Sequence, residues 1–504
     1  MLRLSLTLMI VPRASGPDTL PGKDPALIRR CFIRPRRGRG PALVALAAVW
    51  AAGPARARAQ ETPPPDSASP LSYPSDDLRV DLGGYGSVRW EASDAGEVPS
   101  SFTLRRFVVT TDARLGSRFR VYSEVEYERL QEIEIERSAS PGQDGVTFGQ
   151  EIEGQNGGAI ELEQAWGEYR VADGLGLRFG VVLPPVGRFN LRHDDNLWNF
   201  PERPLVDRAV NVLPAAAAWR EMGLGAVGRT RVGRTGELSY EAYLVNGVQL
   251  DFSLDQKIEA EPGGGANLVT EAEVAPRGGA FDGSNPADAV TARVALSPAL
   301  GSEIAVSGYV GRYTPGFVAR SQTLRTVGVD GRQKLGPAYV EGEFLYSRYG
   351  GLERAIEDFA AAVVNHSVET GGAPGDLTSE AEVELSGLSR SRYGFWLDLG
   401  LPVALPRGAL GLDDAVVTPI ARYERVWLHD NLEEMDFAGG VVTGSEFSDR
   451  QQGRLWLGVA FRPVPQAVVQ LAYRRDDAID GPLSAPAVSE DAVNSVLLGM
   501  AFGF

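Results

Sequence analysis

Thiols, lysine and long apolar runs are what this sequence has least of. Its one cysteine is Cys31. It stands before an apolar run, so it does not form a lipobox. Everything after the first 59 residues is free of thiols, which excludes disulfide staples and thiolate metal ligands there. Lysine occurs only at Lys23, Lys257 and Lys334, and arginine supplies nearly all the positive charge. The three histidines, His193, His366 and His429, lie far apart in loop or strand-end settings; a hydrolase site needs one of them beside a Ser nucleophile, and His429 has no Ser within its own strand, which leaves only pairing across strands. After residue 59 no stretch of 18 apolar residues occurs, so no helix could cross a membrane.

What is present begins with an export pattern. A basic cluster, Arg29, Arg30, Arg34, Arg36, Arg37 and Arg39, precedes the apolar run PALVALAAVWAAG and the A-x-A sequence Ala57-Arg58-Ala59. Residues 1–59 are therefore expected to be an N-terminal extension and signal peptide, cleaved before Gln60. Residues 60–77, rich in Pro, Ser and Asp, read as a flexible periplasmic segment. The whole chain has 50 Lys+Arg and 66 Asp+Glu. Of these, 11 and 2 lie in the first 59 residues, so 39 basic and 64 acidic remain, a net of about −25. That acidity argues against a nucleic-acid partner.

From residue 78 to 504 the apolar period is two. Val80, Leu82, Gly84, Gly86, Val88 and Trp90 alternate with Asp81, Tyr85, Ser87, Arg89 and Glu91. Similar segments recur at 78–92, 101–114, 117–136, 158–172, 174–183, 219–230, 236–249, 287–298, 301–313, 321–331, 335–348, 388–402, 414–429, 451–462, 465–476 and 493–504. Short connections alternate with long ones at 137–157, 184–218, 250–286, 349–387 and 430–450. The expected fold is all-β, a transmembrane antiparallel β-barrel of about 16 strands with short periplasmic turns and long extracellular loops. The other face is too charged for a soluble sandwich core, and only closure removes sheet edges in lipid. In 117–136 acidic residues take alternate positions from Glu124 to Glu136, with Leu130 the one exception, which places the outer part of that strand at the mouth. In the last strand Val496, Leu498, Met500, Phe502 and Phe504 share one face. Its terminal aromatics, Phe502 and Phe504, resemble the signal read by the barrel-assembly machinery.

Alternation places Arg89, Arg105, Glu168, Glu341, Glu343, Arg422, Glu424 and Arg454 toward the lumen. Residues 351–364 have helical spacing and are expected to form a short loop helix that packs on its own barrel rim. Asp251, Asp255, Glu259 and Glu261 read as a solvated acidic loop, and the glycines at 263–265 lack the strand–turn–helix setting of a phosphate loop.

Residues 162–188, LEQAWGEYRVADGLGLRFGVVLPPVGR, contain Arg178, Gly180, Pro185 and Gly187 in the spacing R-x-G-x4-P-x-G. With RRFVVTTDARLGSRFRVYSEVEYE at 105–128 and the trio Pro419, Arg422 and Tyr423, this resembles the phosphate-selective porin O and P family. The sequence-specific part of the likeness covers mainly 101–230 and the last strand. It implies a 16-stranded homotrimer whose third long loop folds into the pore. Here that loop is 184–218, whose Arg188, Arg192, Asp194, Asp195, Arg203, Asp207 and Arg208 would form the constriction. The family's phosphate selectivity does not carry over with it, because two lysines and an acidic excess do not supply a cationic lining. The expected function is passive diffusion of small hydrophilic solutes or ions through an outer membrane, weakly selective and cation-leaning at low salt, without cofactor or catalysis. The alternatives are a phosphate- or anion-selective porin, or a closed structural or adhesive outer-membrane barrel.

Overall fold

The computed structural model describes residues 78–94, 101–128, 132–142, 145–155, 159–207, 212–215, 218–251, 257–260, 266–269, 273–276, 289–314, 320–358, 381–383, 388–438, 441–478 and 492–504. The expected signal peptide, the 60–77 segment and Arg208 lie outside them.

Sixteen strands form the wall. They are β1 (Leu78–Ser93), β2 (Ser101–Leu115), β3 (Phe119–Glu128), β4 (Ala159–Ala172), β5 (Leu175–Val182), β6 (Glu221–Val232), β7 (Gly236–Val245) and β8 (Ala289–Ala299). The second half comprises β9 (Ser302–Arg312), β10 (Thr323–Leu335), β11 (Ala338–Tyr349), β12 (Ser389–Gly400), β13 (Val416–Ala438), β14 (Val441–Val464), β15 (Ala467–Ala478) and β16 (Val493–Gly503). Each pairs antiparallel with the next. β16 then pairs with β1 from Tyr85↔Gly503 to Ser93↔Ser495, which closes the barrel.

The closing seam depends on the glycines of β1. A Cβ on Gly84 would stand 2.1 Å from the Val108 carbonyl oxygen and 2.8 Å from the Phe504 ring, and one on Gly86 would meet the Phe502 ring at 2.8 Å. Bare backbone lets both rings lie over the seam. Phe504 stacks on Phe107 of β2 at 5.9 Å, and its backbone N–H donates to Gly84 O.

Outward positions are apolar. On β16, Val496, Leu498, Met500, Phe502 and Phe504 are all at least 39% exposed, whereas the intervening Leu497 and Ala501 are at most 2% exposed. A closed, even-numbered antiparallel barrel with an apolar outer band is the architecture that bacterial outer membranes accept, and that is where this barrel resides.

The structure corrects several boundaries. The 117–136 strand stops at Glu128, where its ladders to Arg106 of β2 and Ala159 of β4 end. Further along the chain, Glu132–Gly142 pairs with Gly145–Gln155 as a separate hairpin. Glu124 and Glu126 are not mouth residues: both are buried at 3% and 2% exposure, and Glu126 pairs with Arg106 at 2.9 Å. Residues 430–450 are no loop, because β13 and β14 run on as a bulged ribbon to Ala438 and Val441. The 250–286 connection holds two short hairpins. Of the 351–364 helix, 352–358 is helical and the remainder lies outside the described residues. Its Leu352, Ala355 and Ile356 pack into an apolar cluster inside the barrel's upper end.

Candidate pore constriction

The segment after β5 enters the barrel because two prolines, Pro184 and Pro185, remove the amides that would extend the strand. Gly187 then takes φ +79°, a conformation open to glycine, and its would-be Cβ would lie 3.0 Å from the Glu343 carboxylate. That turn aims the Arg188 and Phe189 amides at Glu343 Oε2, the second at 2.8 Å, while Gly187 N–H donates to Ser307 Oγ at 3.2 Å. Residues Arg188–Leu191 make one helical turn.

The loop is then fastened around one arc of the wall. The Leu205 amide donates to Glu424, which also accepts from Trp456 Nε1 at 2.6 Å. Gln470 Nε2 donates to the carbonyls of Trp198 and Phe200 at 2.9 and 3.1 Å. Arg462 donates to Asn196 O and Trp198 O, and Asn199 Nδ2 to the Tyr339 hydroxyl. Buried amides and carbonyls are satisfied by lumen side chains, which is what allows an irregular segment inside a barrel. Phe189, Trp198 and Trp396 pack in series, the first pair tilted and the second edge-on, with ring centroids 4.9 and 5.3 Å apart. Arg422 lies against the rings of Phe200, Trp396 and Trp198 and donates two hydrogen bonds to Asp398 at 2.6 and 2.9 Å.

The expected constriction residues occupy distinct places. Arg188 is buried and pairs with Glu341 at 2.5 Å and Glu303 at 2.7 Å. Arg192 has no carboxylate within ion-pairing distance among the described residues. It borders a space of about 170 Å³ with Arg188, Leu191, Arg293 and Glu303. Asp195 accepts from Ser87 Oγ at 2.5 Å, and Arg203 pairs within the loop to Asp207 at 3.5 Å. Burial, opposed by His193, lifts the Asp194 carboxyl above the usual range. His193 donates from Nδ1 to Asn190 O at 2.9 Å and from Nε2 to Glu163 at 3.3 Å. Burial depresses the imidazole, but Glu163 outweighs it and raises the pKa to about 10. A raised cation pKa means the contact stabilises fully below the ordinary histidine value and is lost as pH rises through about 10.

Glu202 is the anionic hub. Arg454 lies at 3.3 Å, Arg89 at 3.7 Å, and Arg474 is in direct contact. Burial would raise its carboxyl, yet Arg474, Arg454, Arg89 and Arg105 hold it well below the usual range. Glu341, Glu343, Arg422, Glu424, Arg454 and Arg89 thus meet on or beneath the loop. Glu168 stands apart, paired with Arg178 at 2.8 Å on the opposite wall. Asp398, Glu163, Gln470, Arg462 and Arg474 escaped the sequence reading. Asp398 shares the parity of Trp396, and Gln470 and Arg474 that of Asp476, which was the available signal.

The opposite wall is not covered by the loop. An open cavity of about 530 Å³ is lined there by Arg120 of β3, Glu168 of β4, Arg178 of β5, Arg229 of β6 and Glu241 of β7, among others. Above it, Trp219, Tyr243, Val245, Val248 and Tyr309 belong to an apolar cluster continuous with Val186, Phe189, Leu205 and Trp396.

His429 is the one described group with two nearby carboxylates that could hold a metal. Asp449 approaches Nδ1 at 2.7 Å and Asp430 approaches Nε2 at 3.7 Å. Because they address opposite ring nitrogens, they bracket the imidazole and do not chelate with it.

No family model matches the chain. An uncharacterized protein of Aquifex aeolicus is 29% identical over 172 residues, 34% of this chain and 33% of that protein, so the match spans about a third of the relative's length. Among solved structures, the outer membrane protein OmpT of Vibrio cholerae in trimer form is 11% identical with a TM-score of 0.44, covering 85% of this chain and 100% of that one. The outer membrane channel DcaP of Acinetobacter baumannii is 13% identical with a TM-score of 0.43, covering 86% and 99%. An anion-selective porin from Comamonas acidovorans is 12% identical with a TM-score of 0.44, covering 85% and 100%.

Proposed function

We propose that this porin-like barrel is a passive diffusion channel for small hydrophilic solutes, its path displaced to the β3–β7 side by the loop at 184–207. The observation that carries this reading is the asymmetry of the loop. Its polar anchors are concentrated on β9, β11, β13–β15 and β1, with His193 reaching β4, while the cavity lies against β3–β7. The path would cross the smaller space beside Arg192 and Arg293. Assembly as a homotrimer, and membership of the phosphate-selective porin family, rest on the sequence resemblance.

Selectivity follows from the lining, since a pore responds to the charges along its path and not to the chain's net charge. Most lumen charges are paired: Arg178 with Glu168, Arg188 with Glu341, Arg293 with Asp330, Arg422 with Asp398. The buried positions of Glu124 and Glu126 remove them from the mouth that was expected to attract cations. Arg192, unpaired among the described residues, is the local excess. We therefore expect weak selectivity without a cation lean, with permeability ratios inside a factor of about three. Reversal potentials in a KCl gradient measure this. Strong cation preference, or block by micromolar phosphate, would contradict it.

One observation favours a second reading, a barrel closed at rest. The apolar cluster joins the loop to Trp219, Tyr309 and the 352–358 helix across the upper lumen, and apolar constrictions can gate by excluding water.

A further inference from the structure

The outer wall carries a charge arrangement that the pore does not use. On adjacent strands β10 and β11, Arg325 stands directly opposite Arg348. Both side chains are exposed. Among the described residues, neither has an ion pair or a side-chain hydrogen bond. Directly opposed residues have Cβ atoms about 5 Å apart, where like charges destabilise a sheet. Arg312 lies on the same outer face one position diagonal, since Val310 is the partner of Arg325 and Arg312 that of Thr323. Its Nε donates to Thr314 O at 3.0 Å.

These arginines share the outward parity of the membrane face. Outward positions on β9 are Ile304, Val306, Gly308, Val310 and Arg312. On β10 they are Thr323, Arg325, Val327, Val329 and Gly331, and on β11 Val340, Gly342, Phe344, Tyr346 and Arg348. No carboxylate stands among them. Val306, Val310 and Val327 are 59%, 45% and 52% exposed. Among the described residues beyond these strands, Asp358 and Glu357 are engaged with Arg320, and Glu353 and Asp430 with Arg390.

The height of the patch is set by its neighbours. All three arginines lie at the strand ends that lead into the longer connections, the extracellular side of such barrels. Immediately below, Tyr346, Tyr393, Trp427 and Phe395 form a band with centroid spacings of 6.4, 5.1 and 6.0 Å. Aromatic bands of this kind mark the boundary between acyl chains and headgroups. The arginines therefore stand in the outer headgroup layer, above an apolar surface.

We propose that Arg325 and Arg348, supported by Arg312, hold the phosphate of an outer-leaflet lipid whose acyl chains lie on Val306, Val310 and Val327. Guanidinium groups bind phosphate bidentately, and an anion between two opposed arginines turns their repulsion into attraction. The aromatic band and apolar surface beneath favour a lipid over a free ion.

The test uses the full barrel refolded in zwitterionic detergent and titrated with diphosphoryl lipid A, monitored by native mass spectrometry and thermal unfolding. Wild type should bind, and its unfolding temperature should rise with lipid. R325Q/R348Q should bind at least tenfold more weakly and show no rise, while unfolding without lipid no earlier than wild type. R475Q, which removes an exposed outer arginine on β15, should bind as wild type does. Should the double variant not fold, R325Q alone should weaken binding about threefold. Equal binding by wild type and the Gln variants would overturn the proposal. So would an equal loss in R475Q, or inorganic phosphate alone raising the unfolding temperature as much as the lipid does.

Discussion

Replacing residues 195–204 with a short Gly/Ser linker will raise single-channel conductance roughly threefold or more, because a 16-stranded barrel without an infolded segment leaves an aqueous lumen. That stretch contributes Trp198 and Phe200, both under 10% exposed, and supplies the carbonyls that Gln470 and Arg462 bind. It also carries Glu202. Without that carboxylate, Arg89, Arg454 and Arg474 lose their shared partner, while Asp476 and Glu91 remain beside them. The lumen gains positive charge, so the widened channel will also shift toward anions. Planar-bilayer recordings give both quantities. Unchanged conductance would show that the segment does not set the narrowest point.

The second large effect is on stability. Arg422 is 1% exposed and Asp398 3% exposed, and they share two hydrogen bonds. Substituting Arg422→Leu leaves Asp398 buried without its ion-pair partner, a loss of about 3–5 kcal/mol for a buried pair broken on one side. The same change removes a cation from the faces of Phe200 and Trp198, which loosens the loop. Arg422→Lys should recover less than half, since an ammonium cannot make the planar fork or lie flat against three rings. The double variant D398L/R422L should recover most of the loss if the unpaired charge dominates. The temperature at which the folded, fast-migrating species converts on a gel reports all three. A single variant as heat-resistant as wild type would show the pair to be energetically idle.

The wall was legible in the sequence for a simple reason. Period-two alternation is the only pattern that gives one strand a lipid face and a polar face, and it recurs in the wall strands from Val80 to Phe502, with bulges such as that opposite Ser87 and Val88. Sixteen segments read this way correspond to the sixteen barrel strands. Ends were less legible. The acidic alternation of Glu124 to Glu136, broken only by Leu130, keeps the same period across the boundary between β3 and the separate hairpin, so pattern alone could not see where the ladders to β2 and β4 end. The bulged ribbon beyond Leu428 was hidden because polar residues such as Asn431 and Asp449 read as loop.

Partners were the least legible. Parity places Asp398 and Arg422 on one face, but any two-residue slip preserves parity, and only the register brings them opposite. The loop's mixed charges were visible. That Glu202 gathers arginines from β1, β14 and β15 depends on closure, which brings the first strand beside the last.

Conduction through the space left beside the infolded loop is what the proposed channel requires. Single-channel recording of the purified, folded wild-type protein in a planar bilayer tests it most directly. Discrete ohmic steps, smaller than those of the linker variant, are the predicted result. Folded protein that inserts without conducting at any voltage, while the linker variant conducts, would contradict it and make the apolar cluster around Trp219, Tyr309 and Trp396 a seal.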